Sequence, residues 1–212
     1  MARVSQEHLD ARRRQILDGA ARCFARNGFH ATSMQDVLRE ADLSAGAVYR
    51  YFRSKEELIG AIAEEVLTAI HTTFEAAARQ SPPPPPDVLV AQGLREVFSA
   101  ATGLTYEGKS GFARMMIQAW TETLRNEELA AVLHEGFGRV RAAWVRIVEA
   151  YQQAGLMRTD VSPESVARTM IAVAQGFAVQ QALFGDAPVE LIEEGLRGVM
   201  SMGDGAGEAQ PS

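Results

Sequence analysis

A chain of 212 residues with 47% hydrophobic and 23% charged side chains is long enough for a real core, and without a run of about 18 apolar residues it is not expected to span a membrane. Its single cysteine, Cys23, excludes an intrachain disulfide, and the first 15 residues lack the apolar centre of an export signal, so the expected location is the cytoplasm. The net charge of -6 is divided unevenly: residues 1–58 hold 10 basic and 8 acidic side chains (+2) and the remainder 11 and 19 (-8), which keeps basic charge at the front.

Helical periodicity runs through the chain and predicts an all-α fold of about nine helices, with no persistent alternating strand pattern. The first helix is expected from Glu7 to Asn27, with Ile16, Ala20 and Phe24 on one face and Asn27-Gly28 as its stop. Thr32-Ser33 offers an N-cap for a short helix, Met34 to Ala41, and Asp42-Leu43 makes a tight turn. Ser44 caps a third helix, Ala45 to about Phe52. Ser54 caps a fourth that carries Leu58, Ile62 and Val66 inward and reaches about Arg79. The segment 81–87, SPPPPPD, favours polyproline II and reads as a loop between helices, or alternatively as a docking site for a proline-binding module. Further helices are expected at about 88–106, 111–125, 127–154, 163–185 and 189–202, and residues 203–212 as a disordered tail. Two domains follow: residues 8–58, containing a helix-turn-helix at about 34–53, and residues 59–202, a helical ligand-binding and dimerisation domain.

The segment Thr32 to Leu58 carries the function. Its second short helix opens on small residues, Ala45, Gly46 and Ala47, which let a helix end approach base edges closely. Tyr49, Arg50, Tyr51 and Lys55 follow with hydrogen-bonding tips, while Val48 and Phe52 hold the helix on its core. Ser44 and the N–H groups after it are placed to meet phosphate oxygens. Tyr49 and Tyr51 also fit a core role, and Lys55 fits a solvated cap.

This stretch resembles the TetR family of regulators. The resemblance rests on the first helix ending Phe24-Ala25-Arg26-Asn27-Gly28-Phe29, on Ala31-Thr32-Ser33, on Ala41-Asp42-Leu43-Ser44, and on the unbroken run from Gly46 to Leu58. It implies that Thr32, Ser33 and Gln35 reach the DNA backbone or a flanking base. It implies that Ala45 and Ala47 face bases, and that Tyr49, Tyr51 and Lys55 touch phosphates. Arg50 falls at a variable position, where its guanidinium suits a guanine edge or a phosphate. The implied partners are double-stranded DNA with a palindromic operator and a second copy of the chain.

No catalytic constellation is visible, and neither an enzyme nor a cofactor or metal is expected. His8, His30, His71 and His134 do not pair at ligand spacing, and Gly138 stands where His134-Glu135 would need a second histidine. Cys23 reads as a small buried hydrophobe. Between residues 98 and 177, Phe98, Phe112, Met116, Trp120, Phe137, Trp144, Tyr151 and Gln175 are the candidates to line a pocket for a small apolar or amphipathic ligand, with Trp120–Gln118 and Tyr151–Gln175 as mixed ring-and-polar pairs. Val166, Met170, Val173 and Phe177, then Ile192, Leu196 and Val199, mark two helix faces expected to form a four-helix dimer interface. The sum is a repressor released from its operator by a small molecule, with the fourth helix as the expected lever. A ligand-independent or partner-controlled regulator, or a helical carrier without DNA function, are the alternatives.

Overall fold

Serines open three of the first four helices. The computed structural model describes residues 6–99, 105–106, 109–185 and 187–201. Helix α1 spans Gln6–Asn27, α2 Met34–Ala41, α3 Ala45–Tyr49 and α4 Lys55–Ala78. The hydroxyls of Ser33, Ser44 and Ser54 accept the backbone N–H of Asp36, Ala47 and Glu57, each filling an orphan donor of the helix that follows. Asp36 reciprocates by accepting the Ser33 N–H at 2.8 Å, a complete capping box. Gly28 ends α1 at φ 85° and Asp42 ends α2 at φ 53°, left-handed positions that suit a glycine and a short polar side chain. Ile16, Ala20, Phe24, Val37, Val48 and Leu58 meet in the core of this front unit. Helices α1 and α2 approach closely at Gly19, where a Cβ would stand 3.1 Å from that of Ala41.

The rest of the chain builds α5 (Pro86–Ser99), α6 (Gly111–Glu122), α7 (Glu127–Gln153), α8 (Pro163–Leu183) and α9 (Val189–Met200). The most extensive packing joins α4 to α7. It depends on Gly136, where a Cβ would stand 2.5 Å from Leu67 Cδ1, and on Arg139 pairing with Glu64 at 2.6 Å. Trp144 of α7 meets Phe74 of α4 edge-on, ring centroids 5.1 Å apart. Helix α9 docks on α5 through ion pairs: Arg197 with the buried Asp87 at 2.9 Å, and Arg95 with Glu193 at 2.8 Å and Glu190 at 3.1 Å.

Three expectations change. The helix expected at 88–106 is described as far as Ser99 and does not include Thr105–Tyr106 (β1), which pairs antiparallel with Lys109–Ser110 (β2), Thr105 opposite Ser110. A β-branched and an aromatic residue there suit extended backbone better than a helical turn. Pro86, read as loop, is the first residue of α5, where its missing N–H costs nothing. The third helix ends at Tyr49 rather than Phe52. The proline run itself is packed rather than free: Pro83 is buried, and the Tyr151 hydroxyl donates to the Pro84 carbonyl. The tail at 203–212 lies outside the described residues. Among the described residues no helix is long and apolar enough to cross a membrane.

Candidate nucleic-acid interface and sensor cavity

The front unit presents one polar face. Ser33 and Gln35 of the second helix, and Ser44, Ala45, Gly46, Tyr49 and Arg50 of the third, are exposed, with Ala47 half-buried beside them. Val48 and Phe52 are buried, so α3 rests on its core by one side and offers the other to solvent. Around Gly46 the space is open: apart from its chain neighbours and the backbone of its own helix, no atom lies within 4 Å of where its Cβ would be. Three basic side chains of the front unit are engaged by carboxylates of the same chain. Arg22 and Arg26 both hydrogen-bond Glu40, at 2.8 and 2.9 Å, and hold its carboxyl below the usual carboxylate range. Arg13 pairs with Glu65 and lies over the Phe52 ring.

Three of the residues expected at DNA sit differently. Thr32 is 2% exposed, and its hydroxyl donates to the Gly28 carbonyl at 2.7 Å, so it builds the turn between α1 and α2 instead of facing out. Tyr51 is half-buried against the core and borders a cleft with Gly60 and Leu129. The Lys55 ammonium donates to the carbonyls of Phe29 (3.0 Å), Thr32 (3.3 Å) and His30 (3.5 Å), and lies 4.5 Å from the centre of the Phe29 ring. Its three donors are engaged in closing that turn onto α4.

Behind this unit a cavity of about 110 Å³ opens between α4, α5, α6, α7 and α8. Phe112, Met116, Trp120, Phe137, Trp144 and Gln175 line it as expected, joined by residues the aromatic pattern did not flag, notably Ile62 and Val66 of α4. Among the described residues no charged side chain borders it, and Gln175 supplies the one side-chain amide of the lining. Two pocket assignments are corrected. Phe98 packs its ring against Phe112 and Phe177, centroids 6.5 and 6.2 Å away, and does not reach the cavity. Tyr151 is buried against Pro84, where loss of solvent pushes its hydroxyl pKa upward. Gln118 turns away from Trp120's side and accepts the Phe29 N–H at 2.5 Å. Cys23 is fully buried, and burial raises its thiol pKa, which leaves it unreactive.

The expected dimer residues divide. Phe177 and Leu196 are core, and Met170 lines the cavity. Val173 and Ile192 pack partly against the core and Val166 is half-buried, whereas Val199 is 69% exposed. The apolar residues that do face outward from α8 and α9 are Leu183, Phe184, Leu191, Val199 and Met200. Helical spacing identified an apolar stripe but not which stripe the chain's own core consumes.

Residues 16–62 match the bacterial regulatory proteins of the tetR family, and residues 90–198 match the C-terminal region of BetI-type transcriptional repressors. The HTH-type transcriptional repressor Rv1474c of Mycobacterium tuberculosis is 46% identical over 65 residues, 31% of this chain and 35% of that one. The HTH-type regulator YfiR of Bacillus subtilis is 28% identical over 188 residues, 87% of this chain and 86% of its own length. Among solved structures, GusR of Salmonella enterica superposes with a TM-score of 0.69 at 25% identity, covering 93% of this chain and 98% of that one. FadR of Bacillus subtilis, solved with stearoyl-CoA, shares the fold at a TM-score of 0.71 and 16% identity, covering 90% and 98%. With a capped helix-turn-helix in front and an apolar cavity behind it, the chain belongs to the TetR family and is a helix-turn-helix transcriptional regulator.

Proposed function

We propose that the chain is a repressor that grips a palindromic operator as a homodimer and leaves it when a small, largely apolar molecule occupies the cavity. The observation that carries this is the cavity lining, which among the described residues is apolar except at Gln175. A charged ligand group placed there would lose its hydration with nothing to replace it. The ligand is therefore neutral where it is enclosed, with at most one hydrogen-bonding group beside Gln175. At about 110 Å³ the cavity is below the roughly 300–1,000 Å³ of a filled ligand site. Binding must widen it, and Met115, Met116 and Met170, flexible and unbranched, suit that task.

On the DNA side, the division of labour falls to residues 8–58, with 59–202 as sensor and dimer domain. Ser33, Gln35 and Ser44 suit backbone contacts, Ala45, Gly46 and Ala47 the close approach to bases, and Tyr49 and Arg50 the reading or gripping tips. Selection of bound sequences from a random DNA pool tests this reading. A two-fold symmetric consensus is expected. Arg50→Ala should then relax preference at one position per half-site, at about 1–3 kcal/mol for a bidentate guanine contact. A uniform loss with an unchanged consensus would make Arg50 a phosphate contact.

The outward apolar residues of α8 and α9 suit a two-fold interface with a second copy. Phe184→Glu combined with Leu191→Glu should give folded monomers in sedimentation and weaken binding to the full operator more than to a half-site. A dimer that survives both substitutions would place the interface elsewhere.

A further inference from the structure

We infer that Gln118 of α6 is the positioning residue that ties the state of the cavity to the DNA-binding unit, through its hydrogen bond to the backbone N–H of Phe29. The inference rests on the ligand-binding reading above. It replaces α4, the lever expected from the sequence, with α6.

Helix α6 has two jobs on two sides. Phe112, Met115, Met116, Ala119 and Trp120 line the cavity, while Gln118 points at the turn between α1 and α2. There its Oε1 accepts the Phe29 N–H at 2.5 Å. Gly28, at φ 85°, makes room: a Cβ on it would stand 3.3 Å from Gln118 Nε2. The turn is held from the opposite direction by Lys55, at the first position of α4, which donates to the carbonyls of Phe29, His30 and Thr32. The Phe29 ring is 1% exposed and packs on Phe24, centroids 5.4 Å apart. The turn is thus clamped between α6 of the sensor domain and the first residue of α4, and it leads directly into Ser33, the cap of α2. A shift of α6 has no slack to absorb it before it reaches the helix-turn-helix.

Helix α6 is also the wall that yields. It is the shortest of the five that line the cavity, 12 residues against 14 for α5, 21 for α8, 24 for α4 and 27 for α7. α4 and α7 are interlocked at Gly136 against Leu67 and by Arg139 on Glu64. Widening the cavity therefore displaces α6, which draws Gln118 off Phe29 or drags the turn with it. Either outcome changes the placement of α2 and α3.

The test uses the full chain, the selected operator and N-phenyl-1-naphthylamine, a neutral apolar fluorophore, as the probe. Operator affinity is measured with and without saturating probe in the unaltered chain, in Gln118→Met (same length, no acceptor) and in Gln118→Glu (acceptor restored). Amide exchange at Phe29 is followed in parallel. In the unaltered chain the probe should weaken operator binding by about tenfold, within the usual range of such couplings, and speed Phe29 exchange. Gln118→Met should bind the probe equally well while its ratio of operator affinities falls to within about twofold of unity, and Gln118→Glu should recover most of the ratio. A merely structural residue would lower affinity in both probe states alike and leave the ratio standing. Unaltered coupling in Gln118→Met, or Phe29 exchange indifferent to bound probe, overturns the inference. A probe that never enters the cavity counts against the apolar-ligand reading alone. In that case Ala174→Phe, or the milder Ala174→Leu, fills the cavity from α8 and must speed Phe29 exchange, and must weaken operator binding only where Gln118 is intact. Failure of either effect in a folded variant also overturns the inference.

Discussion

Trp144→Ala should remove about 3–5 kcal/mol of stability, the cost of emptying a large aromatic site, and so consume much of the roughly 5–15 kcal/mol that holds a domain together. Trp144 is 1% exposed, and its ring meets Phe74 across the α4–α7 seam, the most extensive helix contact among the described residues. The same ring borders the cavity, so the substitution joins a new void to an existing one and gives the neighbours little to collapse upon. Denaturant titration followed by circular dichroism measures the loss. Trp120→Ala is the control, since Trp120 lines the same cavity but is only partly buried, on the short helix α6. It should change probe binding while leaving most of the stability and the operator affinity in place. A Trp144→Ala protein within about 1 kcal/mol of the unaltered chain would show that the α4–α7 seam repacks around the loss.

Gly46→Leu should abolish operator binding, by about 100-fold or more, while leaving the melting temperature unchanged or higher. The two effects have separate causes. On the protein side, a Cβ at Gly46 meets nothing within 4 Å, and replacing a helical glycine recovers up to about 1 kcal/mol of backbone entropy. On the DNA side, with Ala45, Gly46 and Ala47 as the proposed leading surface of α3, a leucine there would either clash with a base edge or lift the helix from the groove. A two-fold dimer suffers the clash at both half-sites. Thermal melts and operator titrations read the two effects independently. Operator affinity retained within about threefold would take this surface of α3 out of the groove.

The front of the chain is the more legible half because local chemistry determines it. Ser33, Ser44 and Ser54 each announce a helix start and Gly28 a stop, and the spacing between them leaves room for two short helices between two long ones. The side-chain assignments are less secure for a physical reason. Thr32 and Lys55 carry polar tips that suit DNA equally well, but here they satisfy carbonyls of the α1–α2 turn, which a linear pattern does not bring together. In the rear half, Phe177 shares an apolar stripe of α8 with Val166, and Leu196 one of α9 with Val199, and period alone does not say which residues meet the chain's own core. Gln118 was legible as a polar residue on an apolar helix, but its partner at Phe29, 89 positions away, was not.

The single amide at Gln175 has a consequence for what the regulator is able to discriminate. Hydrogen-bonded sites reject wrong molecules by leaving buried polar groups unmatched, a penalty of several powers of ten. An apolar wall distinguishes a methylene more or less by only about 10–200-fold. Once charge is excluded, a cavity built this way sorts neutral visitors mainly by girth and length. Chemically unrelated hydrocarbons of similar bulk should therefore cross-induce, and the cell would experience the switch as an alarm for a physical property of its chemicals.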